Sequence, residues 1–222
     1  MCTFDIRPVR TAAELDRVHR LVHDVYVGAG YCDPRPDGRL PVYDRFDALP
    51  ETLVLAAFEG DDVVGTLSVT LDGPLGLSCD HDFRAACDRI RAEGRRLVAV
   101  WRNATAPSHR TSRIDLELMR VSTVFGCGIG AETFIATVEP SLERAYVRLL
   151  GMTPVARTEG VDGVRGAGLL MRGEARNTYA RLGGAHVTGM EREVRLWRQR
   201  LRTRRTDPLV PAIRTSVQRS AG

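Results

Sequence analysis

The pattern of hydrophobic and polar positions predicts short strands that alternate with amphipathic helices. Thr11 and Glu14 form a capping box, and apolar residues repeat at helical spacing from Leu15 to Val25, so a helix is predicted to begin at Thr11. A polar loop rich in Gly, Pro and Asp then runs from Gly28 to Pro50. It is too long for a simple connector, and we therefore take it as a candidate functional loop.

The same alternation continues through the rest of the chain. Strands are predicted at residues 3–8, 52–59, 63–71, 96–102, 133–138, 153–158 and 166–171. Helices are predicted at residues 11–27, 80–94, 111–125, 140–150, 174–182 and 188–204. Gly126, Gly128 and Gly130 are expected to stop the third helix, and Gly151 the fourth. This order predicts an α/β (α+β) fold with a mixed central sheet flanked by helices. We expect an α/β domain over residues 1–173 and a basic helical extension over 174–222.

Composition narrows the class of protein. The 222 residues are 43% hydrophobic and 27% charged, as in ordinary globular domains, which excludes a disordered or collagen-like chain. No apolar run approaches the roughly 20 residues of a membrane span. The N-terminus lacks the pattern of a signal peptide. We therefore expect a cytoplasmic protein with no membrane span.

The charge distribution and the reactive residues narrow the class of protein further. All 32 basic residues are arginine, so lysine chemistry such as Schiff-base formation is excluded. Residues 190–222 carry nine arginines against three acidic residues, a net charge of +6, so the remainder carries −2 of the total of +4. This basic tail predicts an acidic or phosphate-bearing partner, with a solvated helix face as the alternative. The five cysteines and five histidines show no metal-ligand spacing and no disulfide framework, so no metal is expected.

A late segment resembles the GNAT superfamily of N-acyltransferases. Residues 138–152, VEPSLERAYVRLLGM, are similar to the superfamily's strand–helix motif N-x(6)-Y-x-x-x-G-F, with Glu139 where the motif has Asn. The resemblance implies a GNAT-like fold in which Tyr146 protonates the departing thiolate. The alternative is that Tyr146 is a packed helix aromatic.

An earlier segment makes the resemblance more specific. Residues 43–47, YDRFD, precede a predicted hairpin whose second strand contains VVGTLSVT at 63–70. This order is similar to acyl-homoserine lactone synthases and, more closely, to long-chain N-acyl amino acid synthases, over roughly residues 11–156. The resemblance implies that Asp44 and Asp47 bind or deprotonate the cationic amine. The alternative is that they are turn residues that cap their own backbone.

The central strand departs from that family at one position. Those synthases read E-x-x-R, whereas residues 97–102 read LVAVWR, so Arg102 matches and Ala99 replaces a glutamate that is a candidate general base. General-base assistance is worth roughly 10² to 10⁴ in rate. Three explanations of the missing glutamate are open. The amine arrives neutral or loses its proton through water, another carboxylate acts as the base, or the chain is a degenerate relative with a weak or different activity. The carboxylates considered are Asp44, Asp47 and Glu51.

The loop after the central strand bears on the acyl donor. Asn103–Arg113 contains no glycine, whereas coenzyme-A-dependent GNAT enzymes cradle a pyrophosphate on a glycine-rich loop at this place. We expect no tightly bound cofactor, and an acyl-ACP phosphopantetheine thioester or acyl-CoA as co-substrate. The resemblance implies that Arg110 and Arg113 bind the phosphate. It also implies a backbone N–H near Val100 or Trp101 as the oxyanion donor, in a gap where two parallel strands part.

The expected function is N-acylation of an amino acid or related amine, by direct attack on an acyl-carrier thioester. The expected partners are a small-molecule amine and an acidic acyl carrier protein, with a homodimer as a further possibility. The carrier would dock on the helix Glu191–Arg205 or on Arg91, Arg95 and Arg96. The apolar stripe of that helix is expected to be core or a subunit contact; it consists of Met190, Val194, Trp197 and Leu201. Alternatives are a non-catalytic module that binds a carrier or other partner, favoured by Ala99, and, ranked last, a nucleic-acid binder.

Overall fold

Seven strands form one mixed sheet in the order β1-β2-β3-β4-β5-β7-β6. The computed structural model describes residues 4–40, 45–110, 113–184 and 187–203. The strands are β1 Asp5–Pro8, β2 Thr52–Glu59, β3 Asp62–Leu71, β4 Leu97–Thr105, β5 Thr133–Val138, β6 Thr153–Thr158 and β7 Gly168–Glu174. All neighbouring pairs are antiparallel except β4 and β5, which are parallel. The predicted mixed α/β architecture is thereby confirmed.

Helices cover both faces of this sheet. They are α1 Ala12–Gly28, α2 Asp80–Arg91, α3 Ile114–Gly128, α4 Glu143–Ala145, α5 Ala175–Arg181 and α6 Glu191–Thr203. Successive β4 residues point to opposite faces: Val98 packs in the cluster that contains α3, and Ala99 in the cluster that contains α2. The predicted capping box of Thr11 and Glu14 is present at the start of α1. Within the described ranges, no helix has the length and apolar character that crossing a bilayer requires.

The C-terminal helix α6 packs into the same core as α3. Trp197 is 2% exposed, and its ring meets that of Phe125 edge-on at 6.2 Å between centroids. Its Nε1 donates a hydrogen bond to the Pro50 carbonyl at 3.1 Å. The rest of the apolar stripe, Met190, Val194 and Leu201, packs against the same cluster. The stripe is therefore a core contact.

The glycine-rich turn after α3 differs from the prediction. α3 continues through Gly126 to Gly128, so the expected stop at Gly126 is wrong. Gly126 serves packing instead, because a Cβ there would lie 2.4 Å from the ring of Phe134 on β5. The chain turns at Gly130, which has a φ of 85° that favours glycine.

The helix predicted over residues 140–150 is not continuous. A 3₁₀ turn, Pro140–Leu142, leads into the single turn α4 and then into a π-helical turn, Tyr146–Leu150. Gly151 ends it in the left-handed conformation, with φ 67°, as predicted. Tyr146 is thus the first residue of an irregular turn of a kind that often occurs at functional sites.

Candidate active site

β4 and β5 are paired only over their first residues. The parallel register runs from Leu97 opposite Thr133 to Val100 opposite Ala136. β4 then continues for five residues while paired with β3, and β5 for two residues while paired with β7. Because each strand keeps its outer partner, the parting opens a gap inside the sheet. This confirms the gap that the family resemblance implied.

A β-bulge lies on β4 beside this gap. The β3–β4 register shifts between Thr66 and Ser68, so that Arg102 and Asn103 together lie opposite one residue of β3. Arg102 has a φ of 54°, and no other non-glycine residue in the described ranges has a positive φ. The left-handed conformation costs an L residue about 1–2 kcal/mol. It therefore has to be held by contacts around it.

Strand pairing decides which backbone amide of β4 faces the gap. The Arg96 carbonyl accepts hydrogen bonds from the chain entering β5, whereas the Leu97 carbonyl accepts one from the end of β3. Backbone groups of successive strand residues alternate in direction. The backbone N–H and C=O of Val100 therefore face β5 within the last parallel pair, and those of Trp101 face β3. The next amide directed toward β5 is that of Arg102, where β5 has already diverged.

A buried ionic network underlies the bulge. The Arg102 guanidinium donates to both carboxylate oxygens of Asp47 at 2.6 and 3.0 Å, and its Nε donates to Ser68 Oγ at 3.0 Å. His19 Nε2, on α1, donates to Asp47 Oδ2 at 2.9 Å. The side chains of Arg102, Asp47 and His19 are 0%, 1% and 3% exposed. The network ties α1 and the short helical segment at residues 45–47 to the bulge of β4.

Asp47 is held as an anion within this network. Burial alone would raise its pKa, but the charge of Arg102 and the hydrogen bonds from His19 and Arg102 outweigh burial and lower the pKa to about 2. Such a carboxylate is a weak base at neutral pH. Its contacts are those of a residue that positions Arg102.

The position of the family's glutamate is apolar in this chain. Ala99 is 2% exposed and belongs to a cluster with Phe46, Trp101 and Ile135. The rings of Phe46 and Trp101 meet at 5.5 Å between centroids. Glu51 lies beside Gly73, at the end of the sheet where β4 and β5 are still paired, so it is not brought to the gap. Asp44 lies outside the described residues.

Tyr146 follows β5 and packs partly buried against the core on the α3 face. Burial, together with the charge of Asp115 and the neighbouring Tyr26, raises its pKa to about 12. The phenol therefore stays protonated and can donate a hydrogen bond throughout the physiological pH range. Tyr26 belongs to the cluster on the α1 face. Tyr26 is thus near enough to Tyr146 to influence its pKa, although the two tyrosines belong to different clusters.

A second polar pair lies at the end of β5. Tyr31, just after α1, donates a hydrogen bond from its hydroxyl to the Glu139 carboxylate at 2.7 Å. This bond raises the pKa of Tyr31 to about 12 and lowers the pKa of Glu139. The Tyr31 ring meets the Tyr26 ring edge-on at 5.7 Å, and Arg110 is near enough to influence the Tyr31 pKa. The loop after α1 therefore reaches the end of β5 beside the gap.

In the part of the chain that the structure describes, two buried polar atoms beside the gap have no hydrogen-bond partner. They are Asn103 Oδ1 on β4 and Thr137 Oγ1 on β5, and both residues lie beyond the last parallel pair. A third such atom, Thr133 Oγ1, lies at the start of β5. Buried polar groups without partners are uncommon and unfavourable. Two of them on the diverging segments indicate a place where a ligand supplies the missing bonds.

Arg110 and Arg113 flank the loop between β4 and α3. Arg110 follows the 3₁₀ turn Pro107–His109, and Arg113 immediately precedes α3. Both are exposed, and neither forms an ion pair with any residue in the described ranges. They place positive charge at the end of β4 where the gap opens. The described residues contain no group of three or more His, Cys, Asp or Glu side chains suited to a metal ion.

The structure therefore brings Asp47, Arg102 and Tyr146 to the two sides of one gap. Val100 and Trp101 lie at its closed end, and the two loop arginines at its open end. Sequence reasoning missed His19, Tyr26, Tyr31 and Asn103 as site residues. The available signal for His19 was its place on the apolar face of α1, next to Val18 and one turn before His23.

Comparison with known proteins agrees with this geometry. The family model described as N-acyl amino acid synthase FeeM matches residues 17–174. No curated protein matches the chain. The structure of FeeM, an N-acyl amino acid synthase from uncultured soil microbes, superposes with a TM-score of 0.71 at 19% identity, covering 81% of this chain and 94% of that one.

Two acyl-homoserine lactone synthases share the fold. The CoA-dependent synthase BjaI superposes with a TM-score of 0.61 at 21% identity, covering 82% of this chain and 89% of BjaI. The synthase LasI gives a TM-score of 0.62 at 17% identity, covering 83% and 96%. The family match spans well over half of the chain and includes both strands of the gap. The chain therefore belongs to the FeeM family of N-acyl amino acid synthases and is an N-acyltransferase with a GNAT-like fold.

Proposed function

We propose that this enzyme transfers an acyl group, of the long-chain class, from a carrier-protein thioester to the amine of an amino acid. The observation that carries the proposal is the gap between β4 and β5, with the Arg102 amide directed into it and Tyr146 beside it. A thioester lying in the gap presents its carbonyl oxygen to that amide. Backbone N–H groups directed at a developing oxyanion are among the largest contributions to catalysis of acyl transfer.

The reaction needs no covalent enzyme intermediate. The neutral amine attacks the thioester carbon, a C–N bond forms and the C–S bond breaks. Tyr146 donates its phenolic proton to the departing thiolate, and the proton lost by the nitrogen passes to solvent and restores the phenol. Asp47 acts through Arg102 as a positioning residue. Asp44, outside the described residues, stays our candidate for binding the cationic form of the amine.

The donor enters from the end of the sheet where the strands have parted. From Leu97 to Val100, β4 is hydrogen-bonded to β5, which closes the other end to a thioester arm. Arg110 and Arg113 stand at the open end, and neither is ion-paired with a residue of the described ranges. They suit the phosphate of a phosphopantetheine arm, and the glycine-free loop between strand and helix favours a carrier protein over free coenzyme A.

The other basic surfaces considered for the carrier are less suitable. Arg91 is bound by three carboxylates, those of Asp72, Asp80 and Asp88. Arg95 pairs with Glu174 at 2.5 Å. Arg198 and Arg202 of α6 share a groove with Arg96, which precedes β4 by one residue. At about 3.3 Å per residue, this groove lies roughly 20 Å from the bulge, beyond the paired part of the sheet.

The test is product formation with matched donors. The purified protein is incubated with the same acyl chain on a carrier protein or on coenzyme A and with a mixture of amino acids, and amides are identified by mass spectrometry. We expect an N-acyl amino acid, with a lower KM for the carrier-bound donor. Changing Arg110 and Arg113 to Glu should raise the donor KM and leave the acceptor KM unchanged.

A matched control distinguishes the site from general damage. Tyr179 is a tyrosine on α5 that packs against Gly184, so Tyr179→Phe should retain activity whereas Tyr146→Phe should lose it. Equal KM values for both donors would contradict the carrier assignment. Amide formation only with amines that are not amino acids would contradict the acceptor assignment. Binding of a carrier without turnover of its thioester would support the non-catalytic alternative.

A further inference from the structure

His19 is a buried titratable residue that the proposed chemistry does not use directly. It lies on α1 with its side chain 3% exposed, and its Nε2 donates to Asp47 Oδ2 at 2.9 Å. The same oxygen accepts a hydrogen bond from the Arg102 guanidinium at 3.0 Å. Asp47 is therefore held from two directions, by α1 on one side and by β4 on the other.

The contacts continue from His19 to the bulge. Asp47 lies in a short helical segment, residues 45–47, that precedes β2 and stands outside the strand pairing of the sheet. Its two hydrogen bonds to Arg102 hold the guanidinium in place, and the backbone of this same arginine has a φ of 54°. That backbone conformation bends the chain at Arg102, directly after the amide that strand alternation directs toward the gap. The hydrogen bond from His19 thus connects helix α1 to this segment, and through Asp47 and Arg102 to the bulge that carries the amide.

We infer that His19 is a positioning residue for acyl transfer: through Asp47 and Arg102 it fixes the backbone amide that binds the thioester oxyanion. The inference rests on the proposed function, since it assigns a support to the oxyanion donor of that site. In the proposed reaction His19 acts on neither substrate directly. Replacing His19 should therefore lower kcat, because kcat depends on the orientation of the amide in the transition state. Both KM values should stay nearly unchanged.

The chain offers a closely matched control. His23 lies one turn further along α1 and is also buried, but its Nε2 accepts a hydrogen bond from the Arg35 backbone N–H at 2.9 Å. It does not contact Asp47 or Arg102 in the described structure. Leucine at either position removes one buried imidazole from the same helix face, so both variants should lower the unfolding temperature comparably.

The experiment compares His19→Leu, His19→Gln and His23→Leu in the full-length enzyme. The amide nitrogen of glutamine can take the place of imidazole Nε2 as a donor to Asp47. One hydrogen bond to a charged group corresponds to a rate change of about 10- to 100-fold. We expect His19→Leu to lose about that much in kcat, His19→Gln to recover most of it, and His23→Leu to stay within about twofold of the wild type. An equal loss of kcat in both leucine variants, or a rise in KM without a fall in kcat, would overturn the assignment.

A spectroscopic measurement separates this inference from the proposed function. The Arg102 guanidinium lies 4.6 Å from the centre of the Trp101 ring, so the indole N–H resonance of Trp101 reports the geometry beneath the bulge. The second indole, that of Trp197, lies in the core with α6 and serves as the reference. We expect His19→Leu to shift the Trp101 signal and not the Trp197 signal, whether or not the substrates assayed are turned over. An unshifted Trp101 signal would overturn the inference. If His19→Leu shifts the Trp101 signal but the wild-type enzyme forms no amide, only the proposed function is refuted.

Discussion

Replacing Asp47 by Asn should cost this protein far more stability than breaking a surface ion pair. The change keeps the shape of the side chain but removes the charge that compensates Arg102, whose side chain is fully buried. Breaking a buried pair by removing one partner costs about 3–5 kcal/mol. Domains of this size are stable by only about 5–15 kcal/mol. The variant should therefore lose a large share of its free energy of unfolding.

Urea unfolding followed by circular dichroism measures this loss. Glu93→Gln is the control, because it breaks an exposed two-bond pair with Arg172 and should move the urea midpoint much less. Replacing both partners, with Asp47→Leu and Arg102→Met together, leaves no buried charge unpaired and should restore part of the loss. A free energy of unfolding for Asp47→Asn within about 1 kcal/mol of the wild type would show that Arg102 is not confined as described.

Three further predictions concern the same gap. Tyr146→Phe should lower kcat by about 10²-fold, measured as thiol release, because the thiolate loses its proton donor; an unchanged kcat would assign that proton to water. Folding lowers the pKa of Asp47 from 3.8 to about 2, so its ionised carboxylate adds roughly 2 kcal/mol to the free energy of unfolding. This contribution is present above pH 4 and is lost as the pH falls toward 2. Acid titration of unfolding should show a correspondingly shallower decline in Asp47→Asn, and parallel curves would refute that. Asn103→Leu should keep or raise the unfolding temperature, since its buried Oδ1 has no partner among the described residues, while raising one substrate KM up to about tenfold. A fall in stability with no change in KM would mean that Asn103 serves the fold alone.

Much of the fold was predictable because local signals agreed with one another. The capping box at Thr11, the hairpin turn after Glu59 and the helix end at Gly151 are each fixed by a few neighbouring residues, and each lies where it was predicted. The error at Gly126 has a different origin. A glycine that relieves a contact with Phe134, far along the chain, has the same local signature as one that ends a helix.

The site was predictable only as far as the family motif reached. The motif placed Arg102, Asp47 and Tyr146, and the structure brings all three to the gap. It could not reveal the left-handed φ of Arg102, since nothing in a lone arginine on a strand signals a bulge. It also gave no reason to connect His19 with Asp47, which lies nearly thirty residues further along the chain. Such contacts depend on how α1 lies across the sheet, which the sequence does not state locally.

The two halves of the E-x-x-R pattern have different physical tasks, and this explains how the chain keeps one and lacks the other. Arg102 holds a strained backbone in place, through bonds to Asp47 and Ser68 that no other side chain in the described structure supplies. A glutamate at position 99 would only add a carboxylate as a base. The apolar packing of Phe46 and Trp101 at that position would leave this carboxylate without partners. A base can be replaced by solvent at a cost in rate. The backbone amide proposed to bind the oxyanion has no such substitute, because it is part of the bulged strand itself.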